Sequence, residues 1–181
     1  LRELEQASLH LENKNAEENP QFSNWLKLLV APGSSLGGAR PKSSVVDIKG
    51  NLWIAKFPSQ NDEKDVGAWE AVVCDLATKC GIRVPETRLE KFGKKHHTFL
   101  SRRFDRVGQQ KRNHFASAMT MLERKDGDDA SQGASYLEIV DFIMSNGCHV
   151  DRDLEELWRR IVFFICVSNT DDHLRNHGFL L

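Results

Sequence analysis

The stretch Asn169-Thr170-Asp171-Asp172-His173-Leu174-Arg175-Asn176 decides how the rest of this chain is read. It follows the apolar run 161–167 and precedes a short apolar stub, Gly178-Phe179-Leu180-Leu181. A polar loop of this kind, set directly after a buried helix, is where chemistry is commonly carried. Asp171 is a carboxyl group that can accept or orient a hydroxyl proton. Asn176, five residues later, offers a carbonyl oxygen of the type a hard cation such as Mg²⁺ prefers. Taken alone, the loop reads equally well as structure, with Asp171 or Asp172 as a cap and Asn176 as a turn former.

Three upstream features bear on the choice. Lys56 lies in Trp53-Ile54-Ala55-Lys56-Phe57, a strand pattern in which alternation puts the lysine on the face of Leu52 and Ile54. It either lines a cleft or snorkels from a sheet. Glu70 falls 14 residues after Lys56, on the next helix, at the border of an apolar stripe. By itself it reads as an ordinary solvated helix carboxylate. The segment 33–42 holds Gly37 and Gly38, which let backbone N–H groups approach phosphate oxygens, with Ser34, Ser35, Arg40 and Lys42 adding donors and charge. It matches neither G-x-G-x-x-G nor a Walker A loop. Each signal is weak alone. Their order, Gly-rich loop, strand Lys, helix Glu, then Asp…Asn, is that of a protein kinase.

Composition sets the bounds. The 181 residues, 40% hydrophobic and 28% charged, suffice for one substantial core or two small lobes. A net charge of −1 gives no global attraction to nucleic acid or an anionic membrane. Cys74, Cys80, Cys148 and Cys166 form no C-x-x-C pair, and three sit in apolar helical patterns. Buried, reduced thiols in a cytoplasmic protein are expected, and a cysteine zinc site is not. The run 161–167 is far short of the roughly 20 residues a membrane span needs. The charged start reads as a helix rather than a signal peptide. The missing initiator methionine and abrupt end suggest a fragment of a longer protein.

Periodicity predicts a surface helix over 1–11, a second over 21–30, strands over 44–48 and 52–57 joined at Lys49-Gly50-Asn51, and an amphipathic helix over 66–80 capped by Gly81. Strands over 82–90 and 98–104 follow. Residues 105–134 read as polar and irregular. A helix then opens at Ser135 with a capping box to Glu138, and a last helix covers 151–168, its second half apolar on nearly every face. Lys94-Lys95-His96-His97 reads as an exposed turn without a role. The fold class is α+β: an N-terminal helical segment over 1–32, a sheet-rich lobe over 33–104, and the start of a helical lobe over 105–181.

Four stretches resemble the HipA-like toxin kinases of bacterial toxin–antitoxin modules, over residues 30–181. They are Ser34-Ser35-Leu36-Gly37-Gly38-Ala39-Arg40-Pro41-Lys42, Ala55-Lys56-Phe57-Pro58, Arg103-Phe104-Asp105-Arg106 and 169–176. The resemblance implies a two-lobed protein-kinase-like fold, truncated here in the C-lobe, and serine/threonine phosphorylation of a protein with ATP and Mg²⁺. The protein target in related toxins is an aminoacyl-tRNA synthetase. A HipB-like antitoxin is the implied partner, with nucleic acid reached only through it and no membrane. Implied roles are Asp171 as catalytic group, Asn176 as metal ligand, and Lys56, Glu70, Ser35, Gly37, Gly38, Ala39, Lys42, Arg102 and Phe104 at the nucleotide. The hinge for adenine would be 100–104, and Ser35 an autophosphorylation site. The family's further metal-binding Asp, on the following strand, has no counterpart before residue 181, so this fragment by itself is expected to be inactive.

Two other readings stand beside this one. His173 and His177, four apart, with Asp171 and Asp172 could ligate the metal of a hydrolase, though the Glu of H-E-x-x-H is missing. A non-catalytic, antitoxin-binding module is the other. There the basic stretch Arg102, Arg103, Arg106, Lys111 and Arg112, with Phe104 and Phe115, either touches phosphate or is a solvated rim.

Overall fold

The computed structural model describes residues 1–29, 40–107 and 111–180. The chain folds as two compact units, Leu1–Thr78 with Arg83–Lys111, and Lys79–Ile82 with Arg112–Leu181.

The first unit is built on four antiparallel strands in the order β1-β2-β4-β3. They are β1 (Lys42–Val46), β2 (Leu52–Lys56), β3 (Thr87–Glu90) and β4 (Thr98–Arg102). Alternation along β2 buries Trp53 and Ala55 on one face and leaves Lys56 on the other. Trp53, Ala55, Phe57 and Leu100 form the core. The β1–β2 turn is tied by Asp47, whose carboxylate accepts from Lys49 N, Asn51 N and the Trp53 indole. The strand expected over 82–90 is shorter than its apolar pattern suggests and begins only at Thr87.

The helices α1 (Arg2–Leu11) and α2 (Phe22–Leu29) belong to this unit, with Leu4 and Leu29 packed on the core. Helix α1 is therefore not a plain surface helix. It buries Glu5, Ala7 and Ser8, and the Thr98 hydroxyl donates to the Glu5 carboxyl group. At its end Glu12 accepts from Ser59 Oγ at 3.0 Å and Gln60 N at 2.7 Å.

Helix α3 (Val66–Lys79) is fixed at its start by a close approach and two aspartates. A Cβ on Gly67 would collide with the carbonyl oxygen of His97, so only glycine lets α3 lie there. Asp65 accepts from Ala68 N and His97 N, both at 3.1 Å, and its second oxygen meets the His97 ring. Asp62 accepts from Ser59 N at 2.8 Å and from both terminal nitrogens of Arg40. Lys95 Nζ and the His96 ring reach the Asp62 carbonyl at 3.0 and 2.9 Å. The expectation of an idle turn at 94–97 is thus wrong. His96 is buried, and the turn anchors the loop that launches α3.

The apolar stripe of α3 is largely uncovered: Val66, Trp69, Val72 and Leu76 are exposed, and only Gly67 and Ala77 are buried. The buried thiols expected from the helical patterns are not found either. Cys80, Cys148 and Cys166 are exposed and Cys74 is half-buried. Periodicity shows which face a residue occupies, not whether anything covers that face.

In the second unit, α5 (Tyr136–Asn146) opens with the expected capping box of Ser135 and Glu138, and α6 (Val150–Cys166) runs to the quoted loop. Ala118, Ile139, Ile143 and Leu157 make the core, with Leu174 and Phe179 against it. The second half of α6, apolar on nearly every face and so expected to lie within a helical subdomain, is nonetheless exposed at Ile165. Residues 105–134 carry more structure than their polarity suggested. They hold short strands β5 (Arg106–Val107), β6 (Lys111–Arg112) and β7 (Phe115–Ser117) and one helical turn, α4 (Ala118–Met121). Strand β7 pairs antiparallel with β8 (Gly178–Leu180), from Phe115↔Leu180 to Ser117↔Gly178. This long-range pairing leaves no local period for a sequence reading to find.

Gly67→Ala should destabilise the first unit by about 1–3 kcal/mol through overpacking, measured by chemical denaturation. Burial pushes the Asp62 carboxyl upward, but the Arg40 and Ser59 hydrogen bonds and the Arg40 charge outweigh it and hold it below the ordinary range. A depressed folded value contributes stability above about pH 4 that disappears as pH falls through that value. Asp62→Asn should cost about 1–3 kcal/mol at pH 7 and should flatten the acid limb of a stability–pH curve.

Candidate functional site

Lys56, last residue of β2, and Glu70, on the second turn of α3, form an ion pair. The lysine ammonium also stands 5.7 Å from the centre of the Phe99 ring, a residue of the neighbouring strand β4. Its direction is therefore set by a carboxylate on one side and an aromatic face on the other. Both partners of the pair are about one-third exposed, so it adds less than about 1 kcal/mol to stability. Its consequence is orientation.

Lys42 lies directly opposite Lys56 in the β1–β2 register. Opposed residues of an antiparallel pair share a face, so two ammonium groups stand side by side. Burial pushes the Lys42 ammonium below its ordinary value, the Lys56 charge lowers it further, Glu70 partly offsets this, and Arg40 adds to it. Ammonium groups brought together in this way are of the type that binds phosphate oxygens. Cys74, near the same pair, has its thiol pushed up by burial and by the Glu70 charge.

The remaining expected nucleotide residues divide. Ser35, Gly37, Gly38 and Ala39 lie outside the described residues. Arg40, at the end of that loop, gives its guanidinium to Asp62. Arg102 donates to Asn51 Oδ1 at 2.8 Å and pairs with Glu86. Phe104 is exposed. Asp105 binds Arg103 through two hydrogen bonds and also pairs with Arg106, so its carboxyl is held low by Arg103 while burial works against this. Arg103 and Arg106 of the basic stretch are thus engaged with Asp105, with their side chains largely buried.

In the second unit the helix α6 ends in a left-handed residue, Ser168, with φ 54°. Ser168 N donates to Ile165 O at 3.1 Å and Asn169 N to Phe164 O at 2.9 Å, the paired bonds of a Schellman end. The chain then turns: Asp171 N donates to Asn169 Oδ1 at 3.2 Å, and Asn176 N to His173 O at 2.8 Å. The loop is held from below by Met119 N on Leu174 O and Ala118 N on His177 O.

The adjacent aspartates face opposite ways. The Asp171 side chain is 94% exposed, whereas the Asp172 side chain is 6% exposed. The Asn176 amide nitrogen donates to the Asp171 carbonyl at 2.8 Å, which turns the amide oxygen away from that carbonyl. An outward carboxyl and an oriented amide oxygen are oxygen donors of the kind Mg²⁺ takes together with phosphate oxygens. His177 stands 2.8 Å from Asp172 Oδ2, and no group of three metal-ligating side chains forms among the described residues. That weighs against the hydrolase reading.

Asp62, Asp65, His96, His97, Asp172 and Tyr136 were not singled out from the sequence for these roles. Asp62 and Asp65 had a partial signal, as residues suited to the start of α3. The others act through partners distant in the chain, for which the sequence offers no spacing.

Comparison with known proteins bears on the family and the fold. The sequence pattern of the HipA-like C-terminal domain matches residues 34–181. A protein of Haemophilus influenzae (strain Rd) named "Putative kinase" is 31% identical over 95% of this chain and 57% of its own length. HipA of Shewanella oneidensis MR-1, solved with HipB and operator DNA, matches with TM-score 0.65 at 19% identity, over 81% of this chain and 40% of that one. The Helicobacter pylori proinflammatory kinase CtkA matches with TM-score 0.58 at 22% identity, over 82% of this chain and 50% of that one. The chain thus spans roughly half the length of the proteins it matches. Its α+β fold is the kinase-like fold of these structures, and the chain belongs to the HipA-like C-terminal domain family.

Proposed function

We propose that the complete protein is an ATP-dependent serine/threonine kinase of the HipA-like kind. The observation that carries this reading is the Lys56–Glu70 pair, formed between a strand and the helix that follows it, as phosphoryl transfer requires for a phosphate-binding lysine. Family membership and the kinase-like fold support it.

In this reading the first unit is the nucleotide lobe. Lys56 and Lys42 hold the phosphates, with the backbone of Gly37, Gly38 and Ala39 alongside, and 100–104, including Arg102 and Phe104, forms the edge against adenine. Asp171 accepts the proton of the substrate hydroxyl. The hydroxyl oxygen bonds to the γ-phosphorus as the bond to the β–γ bridging oxygen breaks, and ADP leaves. Asn176 would hold Mg²⁺, which when bound neutralises charge on the transferring phosphate. Ser35 is the proposed site of self-phosphorylation, where added negative charge would oppose ATP binding.

The partner we propose is a HipB-like antitoxin, by analogy with the Shewanella complex, with nucleic acid engaged only through it. The proposed protein substrate is an aminoacyl-tRNA synthetase and the proposed compartment the cytoplasm. No described helix is long and apolar enough to cross a membrane.

In the complete protein, Asp171→Asn should lower phosphate transfer by about 10²–10⁴-fold without changing the unfolding midpoint, measured with radiolabelled ATP. Lys56→Ala should abolish transfer and weaken nucleotide binding by calorimetry. Wild-type turnover in either variant refutes the role given to that residue. Ser35→Ala should remove the self-phosphorylation mark in intact-mass and peptide spectra, and a mark persisting at another residue refutes that site.

A further inference from the structure

Asp172 stands next to the proposed catalytic Asp171, yet it faces inward. One of its oxygens, Oδ2, accepts a hydrogen bond from the Tyr136 hydroxyl at the start of α5 and lies 2.8 Å from His177 Nε2 just before β8. The rings of Tyr136 and His177 meet edge to face at 5.7 Å between centroids. The other oxygen, Oδ1, is buried without a hydrogen-bond partner, and so is Nδ1 of His173. A buried unpartnered polar atom costs about 1–3 kcal/mol. Buried clusters that serve stability alone are normally satisfied, whereas functional sites tolerate such exceptions.

The three residues come from different places: the first turn of α5, the loop after α6, and the entry to β8. They close around the segment that carries Asp171 and Asn176. The His177 carbonyl further accepts from Ala118 N at 2.8 Å. The Tyr136 hydroxyl, pushed up to about 12 by burial and by its bond to Asp172, keeps its proton and remains a donor throughout the physiological range.

We propose that Asp172 is a positioning residue. Gripped by Tyr136 and His177, it anchors the 170–176 turn from beneath, so that Asp171 is presented outward and the Asn176 amide is held against the Asp171 carbonyl. This rests on the kinase reading above. Asp172 touches neither substrate nor metal in this role. It acts through the backbone it fixes.

The test compares Tyr136→Phe, Asp172→Asn, Asp172→Ala and the double variant Tyr136→Phe/Asp172→Ala in the complete protein, with Asp171→Asn as reference. Misplacement of a reacting group by about 1 Å costs about 100-fold in rate. Asp172→Ala should therefore lower kcat by about 10- to 100-fold with KM for ATP nearly unchanged. Asp172→Asn, which keeps the volume and an acceptor oxygen, should recover part of that loss. The double variant should be no slower than Asp172→Ala, because the hydroxyl loses its role once its acceptor is gone. Wild-type kcat in Asp172→Ala, or fully additive losses in the double variant, overturns the proposal.

Amide hydrogen exchange at Asp171 and Asn176 provides a readout independent of catalysis. Protection there should fall in Tyr136→Phe while protection in α6 holds, and unchanged protection overturns the proposal. If wild-type protein transfers no phosphate, the kinase reading fails. The exchange measurement then still decides whether Asp172 anchors the turn.

Discussion

An ammonium on a strand and a carboxylate on a helix meet only if the helix is set on the sheet at one depth and one rotation. The Lys56–Glu70 pair imposes that requirement, and much of the first unit serves it. Gly67 admits the His97 carbonyl where any Cβ would collide. Asp65 holds the first turn of α3 and the backbone of His97 together, which joins the helix to the lead-in of β4. Asp62 holds the loop ahead of α3 and takes up Arg40. None of these contacts is strong. Together they remove the freedom that would let Lys56 swing to another partner, and preorganisation of that kind is what a phosphate site needs.

The second unit meets a related demand with different means. A loop that presents one carboxyl to solvent must still be rigid, although a polar loop has few apolar contacts with which to fix itself. Here the helix before it stops in a left-handed Schellman end at Ser168. The loop's carbonyls are taken by the start of α4, and Leu174 and Phe179 pack into the core. Neighbouring aspartates of the same chemistry thereby acquire opposite environments, one in water and one buried.

Lys56 on the outward face of its strand, Glu70 on the following helix, the capping box at Ser135 and the helix leading to residue 169 were all legible, because each is written in a local period or a short spacing. The Asp…Asn spacing singled out Asp171, whose side chain the structure leaves exposed. The buried role of Asp172 was not legible, since its partners lie 36 and 5 residues away and neither distance is a repeat of any element. His96 and His97 were misjudged for the same reason: a polar run looks solvated until the carboxylates it serves are placed. The apolar stripes of α3 and α6 led to the opposite error. Their faces were read correctly, but coverage is a property of the assembled surface and has no signature within one helix.

The contacts of α1 bear on where this domain can be said to begin. The family pattern starts at residue 34, yet Leu4 and Leu29 pack on the Trp53–Phe57 core, Glu5 satisfies Thr98, and Glu12 holds the 59–60 backbone. A boundary drawn by sequence similarity would cut through a folding unit, stripping apolar cover from the sheet and orphaning a buried hydroxyl. Residues outside a family pattern can still complete its core, because a core asks only for volume and a hydrogen-bond acceptor in the right place, and many different helices can supply both.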